Sequence, residues 1–258
     1  MKEYLLFLLI FTIQTTFSLK AQTKKYPADI EERIRRVENN LAGWVQTGEN
    51  DTWTLTERMK KYNIVINVAN LLSHTGGLTV SGFPGYAKGE ILPSIQQILD
   101  GLKPSNTEPV RSSIEPGKSV IYSGGGVTIS QLIVMDITNQ PYDIFMKENV
   151  LDQLGMSSSS FSQPPPDSMQ KFLATGYKAD GREVPGKYHI YPEQAAAGLW
   201  TNPSDLCRYI IDTQLSYNGV LTKVLTPEMT RLRLTTVMEG MKDFVVQQSA
   251  ASMREKEL

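Results

Sequence analysis

A series of helix start signals runs through the middle of the chain and limits the class of fold open to it. Asn67 can cap the segment VANLLSH, and Pro93 stands at a first helical position before SIQQILDGL. The stretches NPSD at 202–205 and TPEM at 226–229 both place a capping side chain before a proline. Residues 127–138 carry apolar side chains at helical spacing. The sequence therefore predicts a mostly helical middle of the chain.

The segments between these helices contain stop and turn signals of their own. PYDIFMKENVLDQLG can begin a helix at Pro141 and end it at Gly155, a residue type that tolerates the left-handed conformation of a helix end. The following stretch, SSSSFSQPPPDS, is polar and rich in proline and predicts a surface loop. ATGYKADGREV predicts a hairpin about Asp180 and Gly181.

The N-terminus has the layout of a signal peptide. MKEYLLFLLIFTIQTTFSLKAQ contains a lysine, an apolar run from Leu5 to Ile13, and then Ala21 before a glutamine. Because that run is too short to span a bilayer comfortably, we expect a signal peptide over residues 1–21 and no permanent membrane span. The sequence therefore predicts export to the periplasm or secretion.

Two further units are expected after the signal peptide. Within residues 22–63, the stretch ADIEERIRRVENNLAGWV has apolar residues at helical spacing and charges on its other face, which predicts an N-terminal helical segment. Residues 64–258 are expected to form one main domain, since a chain with 40% hydrophobic residues and this length can bury one substantial core.

Composition narrows the range of partners. The formal net charge of −1 leaves no broad basic field, so nucleic acid is not an expected partner. His74 and His189 are the only histidines and lack suitably spaced cysteines or carboxylates, so neither a metal nor another cofactor is expected. The single cysteine, Cys207, cannot form an internal disulfide and is predicted to be a small buried hydrophobe.

A tyrosine and a serine stand directly before three consecutive glycines in the stretch SVIYSGGG at 119–126. The stretch is not a phosphate-binding P-loop, because the required Lys-Ser/Thr does not follow, and it does not complete G-x-G-x-x-G. Glycines in this arrangement are typical of a tight turn and of a close approach between backbones. The sequence therefore predicts a turn that can also form one wall of a site.

Four stretches in order resemble landmarks of the serine beta-lactamase-related hydrolases. They are LLSHTGGL at 71–78, EPGKSVIYSGGGVTISQLI at 115–133, NVLDQLGMSSSSF at 149–161 and AAAGLWTNPSDLCRYI at 195–210. This family includes class C beta-lactamases, penicillin-binding carboxypeptidases and their esterase relatives. Four landmarks in register are far more specific than any one of them alone.

The resemblance implies a serine hydrolase with three motifs around one cleft. In this family a nucleophilic serine and a lysine stand one helical turn apart, as S-x-x-K, and an amide or ester is hydrolysed through an acyl-enzyme. By resemblance, Tyr122 is the second general base, and Ser123 and Gly124 belong to the turn that contacts a small-molecule or peptide substrate. Gly124 stands where the family usually has an asparagine.

The nucleophile motif is not found at its family position. The only S-x-x-K in the chain joins Ser168 to Lys171, follows PPPD in a predicted loop and comes after the tyrosine motif. We interpret it as a chance match, because the two side chains of a usable pair must lie on one face of a helix. No K-T-G occurs, and the only H-x-G, at His74, belongs to the first landmark.

The stretch KYHIYPEQAAAGLW, just before the fourth landmark, leaves two interpretations open. By resemblance it approaches the cleft, where Glu193 could contact a substrate. Alternatively it is a packed loop with a few exposed rings.

Together with the resemblance, these features predict an α+β fold, a partial beta-lactamase/transpeptidase-like domain that is mostly helical and lacks most of the antiparallel sheet. We expect an exported homologue of the beta-lactamase-related hydrolases that is inactive, because the segment with the nucleophile and the C-terminal strands are missing. The alternative is a non-catalytic binding protein for a cell-wall peptide or a protein partner, or a truncated gene product.

Overall fold

The computed structural model describes residues 66–235 and 237, and helices are the regular elements of this part of the chain. The first helices are α1 (Val68–Leu72), α2 (Ile95–Asp100), α3 (Gly124–Thr138) and α4 (Tyr142–Met146), which continues through a π-helical turn (Lys147–Leu151) into α5 (Asp152–Leu154). A 3₁₀ helix (Asp167–Phe172) precedes α6 (Gln194–Ala197), α7 (Pro203–Tyr217) and α8 (Pro227–Arg233). The prediction of a mostly helical middle of the chain is confirmed.

Within the described residues, β-structure is limited to isolated bridges. These antiparallel bridges pair Leu78 with Ser112, Tyr86 with Ile190, Ser160 with Trp200 and Tyr177 with Glu183. The last of them lies in the hairpin predicted about Asp180 and Gly181, which is confirmed by a 2.8 Å hydrogen bond from the Lys178 amide to the Arg182 carbonyl.

Two of the units predicted from the sequence belong to the N-terminal region. The signal peptide over 1–21 and the helical segment over 22–63 lie outside the described residues. Across residues 66–235, no helix combines the length and the apolar character needed to cross a membrane.

Side-chain caps determine where several helices begin. Three of the predicted capping residues accept a hydrogen bond from the amide three positions on: Asn67, Asn202 and Thr226. α2 begins after Ser94 rather than at Pro93, because the Ser94 and Gln97 side chains each bond to the other's backbone amide. Gly155 ends α5 in the left-handed conformation, with φ of 68°, as predicted.

α3 is the central helix and packs against α1, α2 and α6. It begins at Gly124 rather than at Val127, because the side chain of Ser123 caps it there. The largest apolar cluster surrounds this helix and consists of Leu71, Leu78, Ile95, Ile98, Leu99, Val110, Ile129, Leu132, Ile133 and Ile137. The start of α3 is therefore built into the main core.

α7 contacts the rest of the protein through polar side chains. Its buried residues are Asp205, Asp212 and Ser216. The Asp205 carboxylate accepts hydrogen bonds from the Ser158 amide (2.9 Å) and the Ser159 hydroxyl (2.8 Å). Cys207 is exposed, so the prediction that it is buried is wrong. Two positions after Asp205, a helical side chain points about 200° away from the buried face.

Candidate functional site

Tyr122 lies in the turn before α3, and one residue of the first landmark holds this turn on both sides. The Ile121 amide donates a hydrogen bond to the backbone carbonyl of His74 (2.8 Å), and the Ser123 amide donates one to its ring Nδ1 (3.1 Å). The His74 and Tyr122 rings are also in contact, with centroids 4.5 Å apart. The Tyr122 side chain is half exposed, and its hydroxyl makes no hydrogen bond within the described residues.

The hydrogen bond from the Ser123 amide also determines the tautomer of the His74 ring. A ring nitrogen that accepts a hydrogen bond carries no proton, so the proton of the neutral imidazole is on Nε2. Burial lowers the pKa of His74, which favours the neutral ring. The residue that orients Tyr122 is therefore uncharged at neutral pH.

The side chain of Ser123 is used to start α3. Its hydroxyl accepts a hydrogen bond from the Gly126 amide (3.0 Å) and donates one to the Thr79 carbonyl (2.7 Å). The residue is only 2% exposed. The structure thus turns this side chain into the protein, and the role predicted for Ser123 and Gly124 in substrate binding stays a prediction.

The three consecutive glycines let α3 begin against another backbone segment. The Gly124 amide donates to the Ser81 carbonyl (3.2 Å) and the Gly125 amide to the Val80 carbonyl (3.0 Å). A Cβ on Gly125 would lie 2.7 Å from a methyl of Val110. The predicted close approach of backbones is confirmed. Because these amides are already paired, they are not available to hold a phosphate.

Gly124 leaves little room for the asparagine that the family usually has at this position. A Cβ there would lie 3.0 Å from Cε2 of Phe83 and 3.3 Å from the Ser81 carbonyl oxygen. An amide side chain could enter only if the Phe83 ring moved. The Phe83 ring therefore occupies the space that a side chain at position 124 would enter.

The only S-x-x-K pair lies on the 3₁₀ helix, so the prediction of a loop at this position is wrong. Side chains three residues apart eclipse in 3₁₀ geometry, which puts Ser168 and Lys171 on one face. Both are exposed, and no hydrogen bond joins them in the described part of the chain. Lys171 Nζ instead lies 4.8 Å from the ring centroid of Phe172. The pair lacks the contact that would activate a serine.

The four stretches that carry the resemblance meet in space. Gln131 of α3 donates from Nε2 to the Pro192 carbonyl (3.1 Å) and accepts at Oε1 from the Ala195 amide (3.0 Å). Ser160 and Trp200 exchange backbone hydrogen bonds of 2.9 and 2.8 Å. With the contacts that the first stretch makes to the turn before α3, these bonds connect all four stretches.

Glu193, for which the sequence left two interpretations open, is a buried acid. Its side chain is fully buried, and neither carboxyl oxygen has a hydrogen-bond partner among the residues that the structure describes. Burial raises the pKa of Glu193 to about 7. Burial, followed by the nearby charge of Glu193, raises the pKa of Tyr191. The only signal in the sequence is one acidic residue within the small and apolar stretch PEQAAAG.

Within residues 66–235, the surroundings of Tyr122 offer a proton donor or acceptor but no second reactive group. The phenol is open to solvent, the His74 ring is neutral, and the Ser123 hydroxyl is buried. Among the residues that the structure describes, no three His, Cys, Asp or Glu side chains are grouped so as to hold a metal ion.

The family comparison assigns the chain to a class of proteins. The Beta-lactamase family model matches residues 48–253, a range that includes all four stretches. The chain therefore belongs to the beta-lactamase family. None of the curated protein sequences compared with it matches.

Several solved structures are similar to part of this chain. A class C beta-lactamase mutant is 20% identical, with a TM-score of 0.48 over 78% of this chain and 50% of that one. A class C beta-lactamase in complex with cefoxitin is 18% identical, with a TM-score of 0.48 over 80% and 51%. Beta-Lactamase/D-Alanine Carboxypeptidase from Pseudomonas syringae is 21% identical, with a TM-score of 0.44 over 79% and 53%. The chain spans about half the length of these structures.

Proposed function

We propose that this chain is an exported homologue of the beta-lactamase-related serine hydrolases that keeps the tyrosine wall of the site and does not form an acyl-enzyme. Membership of the family supports the link to amide or ester hydrolysis at a serine. One observation carries the proposal. The serine next to Tyr122 is 2% exposed, and its hydroxyl is used to cap α3.

A nucleophilic serine needs both a base within hydrogen-bond reach and access to the substrate. Ser123 lacks access, because the Thr79 carbonyl and the Gly126 amide occupy its hydroxyl. Ser168 is accessible but has no hydrogen-bonded base among the described residues. Tyr122 then has no neighbouring serine hydroxyl in this part of the chain whose proton it could carry.

Covalent labelling tests the proposal. We expect no label from a fluorescent penicillin or a fluorophosphonate, and turnover of a chromogenic cephalosporin or a p-nitrophenyl ester no faster than in Tyr122→Phe. Stoichiometric labelling mapped by mass spectrometry to Ser123 or Ser168, and lost on its replacement by alanine, would overturn the proposal.

The exposed phenol also favours the second candidate function, non-catalytic binding of a cell-wall peptide. The Tyr122 hydroxyl makes no hydrogen bond to the described residues, and it can donate one to a ligand. Saturable binding of a synthetic cell-wall peptide without covalent labelling, weakened about fivefold by Tyr122→Phe as expected for one hydrogen bond, would support this candidate.

A further inference from the structure

α6 is a short helix that buries none of its own residues. Its contact with an apolar cluster is made by the methyl group of Ala195. Gln131 of α3 holds the segment through three hydrogen bonds: its Nε2 donates to the Pro192 carbonyl (3.1 Å) and to Gln194 Oε1 (3.4 Å), and its Oε1 accepts from the Ala195 amide (3.0 Å). An element that buries little apolar surface opens locally at a low cost in free energy. α6 can therefore leave α3 while the rest of the protein stays folded.

Glu193, the residue directly before α6, is buried without a hydrogen-bond partner for its side chain. Neither carboxyl oxygen is bonded within the described residues, and the side chain does not cap α6. The backbone carbonyl of Glu193 accepts hydrogen bonds from the amides of Ala196 (3.1 Å) and Ala197 (2.8 Å). Because these bonds form the first turn of α6, a movement that brings Glu193 to the surface also moves α6.

The groups around Glu193 do not compensate a negative charge. Its electrostatic partners are the phenols of Tyr86 and Tyr191, and the nearby charge of Glu193 contributes to raising the pKa of both. Burial raises the pKa of Glu193 itself to about 7, and no lysine or arginine of the described residues is among the causes of this shift. Glu90, which also raises the pKa of Tyr86, adds a second negative charge to this region. The ionisable side chains of α3 and α4, the helices that pack against α6, are likewise acidic or phenolic: Asp136, Tyr142 and Asp143.

A carboxylate that has neither a cation nor a hydrogen-bond donor is strongly disfavoured in a protein interior. Glu193 can therefore ionise readily only where its carboxylate reaches water. Since α6 buries no residue of its own, the smallest movement that exposes Glu193 is the displacement of residues 192–197 from α3. This movement breaks the three hydrogen bonds that Gln131 makes.

We propose that residues 192–197 form a pH-sensitive switch. α6 stays on α3 while the Glu193 carboxyl is protonated, and it separates from Gln131 when that carboxyl ionises. The opening exposes one side of α3 and leaves the main apolar cluster intact, because no residue of α6 belongs to that cluster.

Hydrogen exchange at the Ala195 amide measures this opening in the full-length chain, because that amide is bonded to Gln131 Oε1 only while α6 is closed. The intrinsic exchange rate at each pH is divided by the measured rate to give a protection factor. With a pKa of about 7 in the closed form and the ordinary 4.5 in the open form, the opening constant rises about tenfold from pH 6 to pH 8. We expect the protection factor of Ala195 to fall by the same factor.

Glu193→Gln is the matched control. The glutamine keeps the shape of the side chain and does not ionise, so the protection factor of the Ala195 amide should stay constant from pH 6 to pH 8. A constant protection factor in the parent chain, or an equal fall in Glu193→Gln, would overturn the proposal.

Low concentrations of urea distinguish local opening from global unfolding and require no variant. The Gly125 amide, which donates to the Val80 carbonyl (3.0 Å) at the buried start of α3, serves as the reference for global unfolding. At pH 8 we expect the protection of Ala195 to be nearly independent of urea and that of Gly125 to fall, because urea acts in proportion to the surface exposed. An equal urea dependence at the two amides would show that Ala195 exchanges through global unfolding, and the proposal would then be wrong.

Discussion

At the scale of single residues, the turn that carries Tyr122 depends on glycines, because a side chain at their positions would collide with neighbouring atoms. Gly125 has two Val110 methyls 2.7 and 2.9 Å from the position where a Cβ would stand, and the Thr79 carbonyl oxygen at 3.0 Å. A Cβ on Gly82, in the preceding loop, would meet nothing within 4 Å. The two glycines therefore differ in the space around them, and this difference can be tested.

Gly125→Ala is expected to lower the free energy of unfolding by about 1–3 kcal/mol, because the added methyl overpacks the start of α3. Gly82→Ala is the matched control and should change it by less than about 0.5 kcal/mol. Urea denaturation measures both values. The packing argument would be wrong if the two variants proved equally stable.

At the scale of elements, Gln131 fixes the position of α6 relative to α3. It is 1% exposed, and its amide bonds to the Pro192 carbonyl and the Ala195 amide around the first turn of α6. Both partners would lose a hydrogen bond if the side chain became apolar, and unpaired polar groups in a protein interior are unfavourable.

Gln131→Met keeps the length of the side chain and removes these two hydrogen bonds together with a longer one to Gln194 Oε1 (3.4 Å). We expect a loss of about 2–4 kcal/mol in the free energy of unfolding, and faster hydrogen exchange at the Ala195 amide. Gln153→Met is the control and should cost less than about 0.5 kcal/mol, because Gln153 is exposed and its side chain bonds, among the described residues, only to the Glu148 carbonyl. Unchanged exchange at Ala195 would contradict the role given to Gln131.

The elements could be predicted from the sequence where local chemistry decides them. Asn202 caps α7 through an amide three residues away, and the same short-range rule located the caps at Asn67 and Thr226. Even so, the competing cap at Ser94 moved the start of α2 away from Pro93.

The site depends on contacts that no local pattern contains. The Asp205 carboxylate accepts hydrogen bonds from residues 158 and 159, so the side of α7 that carries Asp205 faces the protein. Cys207 points away from that side and is exposed. Glu193 is buried because of how its loop packs, and no spacing rule marks it. The turn that carries Tyr122 could be located from the resemblance. The inward orientation of Ser123 could not be predicted, because it depends on a hydrogen bond to the carbonyl of Thr79, a residue distant in the sequence.

At the scale of the whole molecule, the fully buried Glu193 and the partly buried His74 make the free energy of unfolding depend on pH in opposite directions. Burial raises the pKa of Glu193 to about 7, so between its ordinary value of 4.5 and pH 7 the folded chain binds more protons than the unfolded one. Burial lowers the pKa of His74, so its contribution is present above about pH 6.5 and is lost as the pH falls.

Glu193→Gln should remove the part of the pH dependence of the unfolding free energy that Glu193 causes. In the parent chain the contribution of Glu193 is complete below about pH 4.5 and is lost as the pH rises through about 7, a change on the order of 3 kcal/mol. The glutamine keeps the shape and does not ionise, so the difference in unfolding free energy between the two proteins should change steadily from pH 5 to pH 8. A constant difference across that range, measured by urea denaturation, would show that Glu193 does not titrate as proposed.

The bonds that join the four stretches link residues far apart in the chain, and this bears on the speed of folding. The Ser123 amide reaches His74 across 49 residues, and the Ala195 amide reaches Gln131 across 64. Loops of this size must close before the bonds can form, and chains dominated by such non-local contacts fold in about milliseconds to seconds. We therefore expect the turn that carries Tyr122 to reach its final orientation only after these loops have closed.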